Sequence, residues 1–355
     1  MTIGGGGWSP NQKHDPGADG KLAIVGEGVD ATHVRPSSDG TRGAIEVSAP
    51  CTHLRLRGLS IHGGGPNSIM LSAGSYGTSK RQPILIEIED CKFVGHEQRG
   101  PKFGISANQA QLALRRVEFD LPHSVEHSIY LRNPASPGST ISECVFRSVG
   151  GQHLKVVNRP HPDVWAQQNP GQDYPFQHEE GPDYGAPTFV VTRCSFRDWG
   201  RDPGRASTCV DIGGMGGLFA MVDCALIGST EYGGIVVWSG GEWYGPGGEI
   251  GAWPAQDALF LQRTYVVLPA DATRPAFDLS SVQSAALSQC GFYGGTNCKL
   301  GPQGFYALTE CNTPEITSLA AQHLGDTLTK PKIRCGDLSW KVSKDVKLVG
   351  GLLTP

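Results

Sequence analysis

Residues 88–93 read Ile-Glu-Asp-Cys-Lys-Phe, one copy of a phrase that returns along the chain: apolar-x-x-(Cys or small apolar)-x-(Phe or aliphatic). Further copies stand at 56–61 (LRGLSI), 114–119 (LRRVEF), 141–146 (ISECVF), 191–196 (VTRCSF), 221–226 (MVDCAL) and 287–292 (LSQCGF). A truncated copy lies at 308–311 (LTEC) and a looser one at 261–266 (LQRTYV). The fourth positions are Leu59, Cys91, Val117, Cys144, Cys194, Cys224, Thr264, Cys290 and Cys311, so the steps are 32, 26, 27, 50, 30, 40, 26 and 21 residues. A period in the twenties with occasional insertions marks a solenoid, in which each coil buries its apolar row only when the next coil stacks on it.

The composition agrees. Glycine makes up 49 of 355 residues, about twice the usual fraction, and proline adds 25 without a triplet period, as expected of a chain that turns every few residues. Six cysteines share the fourth slot of the phrase. Stacked coils put that slot in one inward row with neighbours about 4.8 Å apart. Cysteine there acts as a small apolar residue, so a reduced row and folding in a reducing cytosol are expected. Met1 is followed by Gly4–Gly7 and polar residues, which does not read as a secretory signal. No apolar run approaches the roughly 20 residues of a membrane span. A net charge of −4 without a Lys/Arg cluster argues against nucleic acid as a partner.

A second strand with period-two alternation precedes the phrase in each coil, at 44–47, 68–71, 103–107, 128–132, 153–157, 209–212, 235–238 and 276–279. Gly, Pro, Asn and Ser clusters separate the strands. The expected organisation is an extension over 1–20, a β-solenoid of about nine to ten coils over 21–314, and a cap or assembly segment over 315–355 whose best helical candidate is 315–324. Two coils carry long insertions, 159–187 and 240–258, that leave from one corner with one coil between them. They are expected on one edge, about 10 Å apart.

The pattern resembles the right-handed parallel β-helix of the pectin-lyase-like superfamily over about 21–311. That family includes polysaccharide lyases, glycoside hydrolases and bacteriophage tailspikes, and the handedness is implied by the resemblance. Within it, 127–132 (HSIYLR) followed by 152–159 (QHLKVVNR) looks like a repeat of bacterial β-helix proteins, one that carries no chemistry to transfer.

Aligning the inward residues Ile129, Leu154, Val210 and Ile235 places Tyr130, Lys155, Asp211 and Val236 side by side facing outward, with Arg132 two residues beyond Tyr130. His153 and Ser128 fall beyond the first residue of the inward row, and His153 joins Lys155, Tyr130, Arg132 and Asp211 as a candidate catalytic residue. Superfamily lyases use a basic residue as base and a basic or tyrosyl group as acid, which implies Lys155, Tyr130 and Arg132 here. Asp211 beside Lys155 holds the amine protonated, the wrong direction for a base, and a surface Lys–Asp pair contributing under about 1 kcal/mol is the plain alternative. Hydrolysis needs two carboxylates, with Asp211 and Glu179, Glu180 or Asp183 as candidates. For substrate binding the insertions offer Trp165, Tyr184, His178, Glu179, Trp243 and Trp253, with Trp238 at the root of the second. A flat aromatic bordered by carboxylates matches a sugar ring; pinning of the loops to the solenoid is the other use.

Five of the eleven histidines, His123, His127, His153, His161 and His178, fall within 56 residues without the spacing of a zinc motif. No metal or other cofactor is expected, and calcium is not indicated. Glycine runs lack the Lys-Ser/Thr ending of a phosphate loop. The sequence reading is therefore a bacteriophage virion β-helix, tailspike-like or a head fibre, that binds a host surface glycan and cleaves it if the site is catalytic. Its expected partners are the polysaccharide, two further copies in a homotrimer and other virion proteins, with no nucleic acid and no membrane. The alternatives are a secreted polysaccharide lyase or glycoside hydrolase, and a non-catalytic structural solenoid.

Overall fold

The computed structural model describes residues 20–36, 43–47, 51–64, 68–74, 83–95, 100–123, 126–132, 134–135, 137–157, 188–201, 208–213, 217–230, 232–238, 243–244, 250–251, 258–269, 271–279, 282, 284–294, 299–300, 305–309, 311 and 347–348. The chain winds as a right-handed parallel β-helix with three faces. Sheet A has 11 strands, sheets B and C have nine each, and every pairing within them is parallel. Each coil contributes one strand to A, then B, then C. Nine complete coils are followed by a tenth A strand, Phe305–Thr309, to which Lys347–Leu348 adds. The expected helix at 315–324 and the extension 1–19 lie outside the described residues, as does 315–355 apart from that last strand. No helix occurs among the described residues, so none is long and apolar enough to cross a membrane.

One expectation changes. A coil has three strands rather than two, because the repeated phrase is not a strand but a corner. Its first two residues end an A strand, as Ile84–Glu89, and its last two begin a B strand, as Lys92–Val94. The third residue makes the bend by taking a left-handed backbone: φ is 63° at Gly58, 52° at Asp90, 50° at Arg116, 56° at Glu143, 50° at Arg193, 56° at Asp223, 43° at Arg263 and 51° at Gln289. The fourth residue then turns inward, and its donor adds a second hydrogen bond to a carbonyl that already accepts a backbone N–H from the preceding coil, as Ser142 does from Arg116. Cys91, Cys144, Cys194, Cys224 and Cys290 each donate Sγ–H to the carbonyl oxygen two residues back, at 3.2–3.3 Å. Thr264 does the same with its hydroxyl at 3.2 Å. Where the slot carries a donor, cysteine and threonine act alike, while Leu59 and Val117 fill it with buried apolar bulk alone. The thiols are free, and burial pushes Cys91 up to about 11, far from the thiolate that reactivity requires.

A left-handed non-glycine residue costs roughly 1–2 kcal/mol, and the chain repeats that cost coil after coil. Partial compensation comes from the side chains, which alternate in sign along the corner: Asp90, Arg116, Glu143, Arg193, Asp223, Arg263. Arg116 forks onto Asp90 (Nε–Oδ1 2.6 Å, Nη2–Oδ2 2.9 Å) and holds its carboxyl below the usual range. Arg193 reaches Glu143 at 2.8 Å, and Arg263 forks onto Asp223 at 2.5 and 3.0 Å. Arg193→Glu sets three carboxylates in a row. It is expected to lower stability at low salt, with most of the loss recovered near 1 M salt, where screening acts within about 3 Å. Urea midpoints at the two ionic strengths measure it.

The core runs the length of the solenoid. Leu54, Ile86, Leu112 and Ile141 line sheet A, while Phe93, Phe119, Phe146 and Phe196 stack along sheet B with centroids 4.7, 4.8 and 4.5 Å apart. Sheet C comprises Ile45–Val47, Ile69–Ala73, Phe103–Asn108, His127–Arg132, Leu154–Val157, Val210–Gly213, Ile235–Trp238, Phe277–Leu279 and Lys299–Leu300. Both long insertions follow a C strand, after Val157 and after Trp238, and precede an A strand, at Thr188 and at Ala258. Only the strand Val210–Gly213 separates their roots, so they leave the same corner two rungs apart.

Candidate functional site

The register of sheet C aligns one outward residue per coil. Ser72, Ser106, Tyr130, Lys155, Asp211, Val236 and Asp278 are successive partners. A second outward row, two residues on, holds Asn108, Arg132, Val157 and Gly213. Alternation drives this arrangement, since Ile129, Leu154, Val210 and Ile235 are wholly buried on the inward side.

The structure brings four of the five candidate catalytic residues together. Lys155 Nζ stands 3.8 Å from Asp211 Oδ2 and 5.8 Å from the centre of the Tyr130 ring. Arg132 Cζ lies 5.2 Å from the same ring. Tyr130 in turn packs against Phe103 and His127, both with centroids at 5.4 Å. The ring thus rests among aromatics on one side and meets two cations, an arrangement favoured by the negative π face.

The surface-pair alternative fails on exposure. Lys155 is 7% exposed and Asp211 3%, although both point away from the core. A buried ion pair contributes little net stability, because desolvation offsets the attraction. At 3.8 Å the Lys155 ammonium and the Asp211 carboxylate face each other as an ion pair. Gln152 addresses the same oxygen of Asp211, its Nε2 donating to Oδ2 at 2.6 Å. Gln152 is itself buried, and its Oε1 accepts no hydrogen bond. Leaving such an oxygen unmatched costs about 1–3 kcal/mol, so the amide is oriented at the expense of stability.

His153 is placed elsewhere. It is fully buried on the inward side of the B–C corner, with its ring 5.6 Å from Phe146 and 6.0 Å from Phe196. Nε2 lies 2.5 Å from the Arg197 carbonyl, which only accepts, so Nε2 carries the proton. Nδ1 therefore accepts from Ser128 Oγ at 3.0 Å. Both nitrogens are occupied and sealed from the outer face, so His153 is a core residue and not part of the Lys155 cluster. Burial lowers its pKa to about 4. An unfolded histidine titrates near 6.5, so between pH 6.5 and 4 the unfolded chain holds one more proton. Stability is full above pH 6.5 and falls as pH drops toward 4, by about 3 kcal/mol for this group. Urea unfolding at pH 7 and pH 4.5 should show the loss, and His153→Gln should flatten that part of the profile.

Of the substrate-binding candidates, Trp165, Tyr184, His178, Glu179 and Trp253 lie outside the described residues, as do Glu180 and Asp183. Trp238 ends a C strand opposite Gly213, and Trp243 begins a two-stranded antiparallel hairpin with Ile250–Gly251; their side chains lie outside the description. Two residues went unread in the sequence. Asp278 continues the outward row of Asp211 and was open to the same alignment carried one strand further. Gln152 precedes its strand and has no periodic signal, so only coordinates reveal its bond to Asp211. Among the described residues no group of three or more His, Cys, Asp or Glu side chains gathers as for a metal ion.

No protein-family model matches the chain, and no curated protein matches it. Among solved structures, the catalytic domain of a GH87 alpha-1,3-glucanase in complex with tetrasaccharides is similar, with a TM-score of 0.31 and 11% identity. The match covers 82% of this chain and 61% of that one, so the chain spans less than two thirds of the structure it resembles.

Proposed function

We propose that the outer face of sheet C binds an oligosaccharide along the row Tyr130–Lys155–Asp211, with Arg132 and Gln152 at its margins. The supporting observation is that an outward-facing ion pair is held at 7% and 3% exposure beside an aromatic ring and an unmatched amide oxygen. Such a cluster adds little to stability, and the half-buried Tyr130 and Arg132 that it supports offer a sugar an apolar face for C–H groups and donors for hydroxyls. The insertions rooted at Val157 and Trp238 supply further aromatics for stacking, among them Trp165, Tyr184, Trp243 and Trp253. Calorimetric titration with neutral and uronate oligosaccharides tests the reading. Binding that weakens at least about tenfold in Tyr130→Ala, a loss of about 1.4 kcal/mol, supports it. Absence of binding across the panel, or binding indifferent to Tyr130→Ala and Asp211→Asn, overturns it.

A second reading, hydrolysis, is favoured by Asp278. It stands two rungs from Asp211 in the same row, which separates the Cα atoms by about 9–10 Å. Inverting glycosidases place their carboxyl groups about 6.5–9.5 Å apart. Release of reducing ends that Asp278→Asn abolishes while binding persists would establish it; unsaturated ends would point to elimination instead.

The setting we infer is a virion, with the chain assembled in the host cytoplasm as a homotrimer that meets a host surface glycan. The free thiol row and the rigid solenoid support this reading. Light scattering should give about three times 37.8 kDa; a mass of one chain removes the trimer.

A further inference from the structure

We propose that His33 and His62 form a two-histidine chelate for a late first-row divalent ion, Cu2+, Ni2+ or Zn2+, on the outer face of sheet B in the first two coils. The residues are 29 apart in sequence and no motif announces them. Parallel pairing of His33–Val34 with Ser60–His62 brings them together, with His33 opposite Ser60 and Val34 opposite Ile61. His33 Nδ1 and His62 Nε2 lie 3.2 Å apart, with ring centroids 5.2 Å apart and planes at 68°.

Two imidazole nitrogens bound to one tetrahedral ion at about 2.0–2.1 Å are separated by about 3.3 Å. The observed gap therefore admits the ion between the two nitrogens without moving either strand. At present the rings share one proton, with one nitrogen donating and the other accepting. When the ion replaces that proton, the donor ring's N–H moves to its far nitrogen, so both rings ligate as neutral imidazoles and no net proton leaves. The strands fix both Cα positions before the ion arrives, which lowers the ordering cost of binding.

The donor set selects the metal class. Imidazole suits Cu, Ni and Zn, whereas Ca and Mg require oxygen ligands that the pair lacks. His33 is exposed, so water completes the coordination. Arg35 and Lys92 act electrostatically on His62 and oppose a cation. Lys92 is offset by Glu118, whose Oε1 lies 3.2 Å from Nζ. The order of affinity should follow Cu2+ above Ni2+ and Zn2+.

The test titrates the full chain with each metal chloride by calorimetry and follows amide exchange in the two strands. The expected result is one site whose occupation slows exchange at residues 33–34 and 60–62. His62→Ala should weaken it by at least the 10- to 100-fold typical of losing even an outer-shell partner, about 1.4–2.7 kcal/mol. His33→Gln should do the same, while His123→Ala, at an exposed histidine elsewhere, should leave it unchanged. Titrations identical in the wild type, His62→Ala and His33→Gln overturn the proposal, as does Cu2+ affinity no tighter than about 1 mM.

Discussion

Phe146→Ala is expected to cost about 3–5 kcal/mol, the largest loss of any single truncation on sheet B. Phe146 is fully buried between Phe119 and Phe196, at 4.8 and 4.5 Å with interplanar angles of 0° and 9°. It also touches the His153 ring at 5.6 Å. Parallel rungs hold the rings at the strand spacing, so a neighbour cannot slide over to fill the gap without breaking register. The cavity therefore stays open, and two aromatic contacts, each worth about 0.5–1.5 kcal/mol beyond area burial, are lost together. Phe146→Leu, which keeps most of the volume, should cost less than about 1.5 kcal/mol. Coils contact only their neighbours, so a domain of ordinary stability, about 5–15 kcal/mol, is expected to open first at the fifth coil. Urea unfolding with amide exchange across 118–120, 145–148 and 195–197 reads both effects. A loss below about 1 kcal/mol for Phe146→Ala, or uniform exchange across all coils, contradicts this account of the core.

What the sequence disclosed follows from where the periodicity lives. Inward residues repeat because each must lie over its predecessor, so the Cys slot and the alternation of sheet C were readable. The outward neighbours Tyr130, Lys155 and Asp211 followed from the same alignment, and so did the common corner of the two insertions. The three-strand coil was hidden because the bend rests on backbone conformation. Asp90, Arg116 and Glu143 adopt the left-handed region that glycine usually marks, and only Gly58 carried the usual signal. The alternating charges of that third slot were in plain sight, but they acquire meaning only once the slot is known to be a corner. His153 misled for a related reason. It stands next to an inward leucine, and strict alternation sends it outward, whereas the B–C corner rotates it into the core. The distance of 29 residues between His33 and His62 hides them in the same way, since a diagonal contact across rungs has no counterpart in sequence spacing.

The Lys155–Asp211 pair permits a cycle that separates structure from function. Lys155→Met removes the ammonium and leaves the Asp211 carboxylate buried, which is expected to cost about 3–5 kcal/mol. Asp211→Asn alone removes the carboxylate that faces the buried Lys155 charge, with a similar penalty expected, although the asparagine oxygen still accepts from Gln152 Nε2. The double variant Lys155→Met/Asp211→Asn buries no charge at either position, and its stability should return to within about 1 kcal/mol of the wild type or exceed it. Oligosaccharide affinity should not return, because the ion pair that supports Tyr130 and Arg132 is gone; a loss of at least about tenfold is expected, or 1.4 kcal/mol. The two readouts move in opposite directions only if the pair serves a ligand. A double variant as unstable as either single one makes the pair a structural clamp between rungs. A stable double variant that binds the oligosaccharide undiminished places the ligand elsewhere on the solenoid. Restored folding with lost binding leaves recognition as the reason a lysine and an aspartate are kept out of water on the outside of a β-helix.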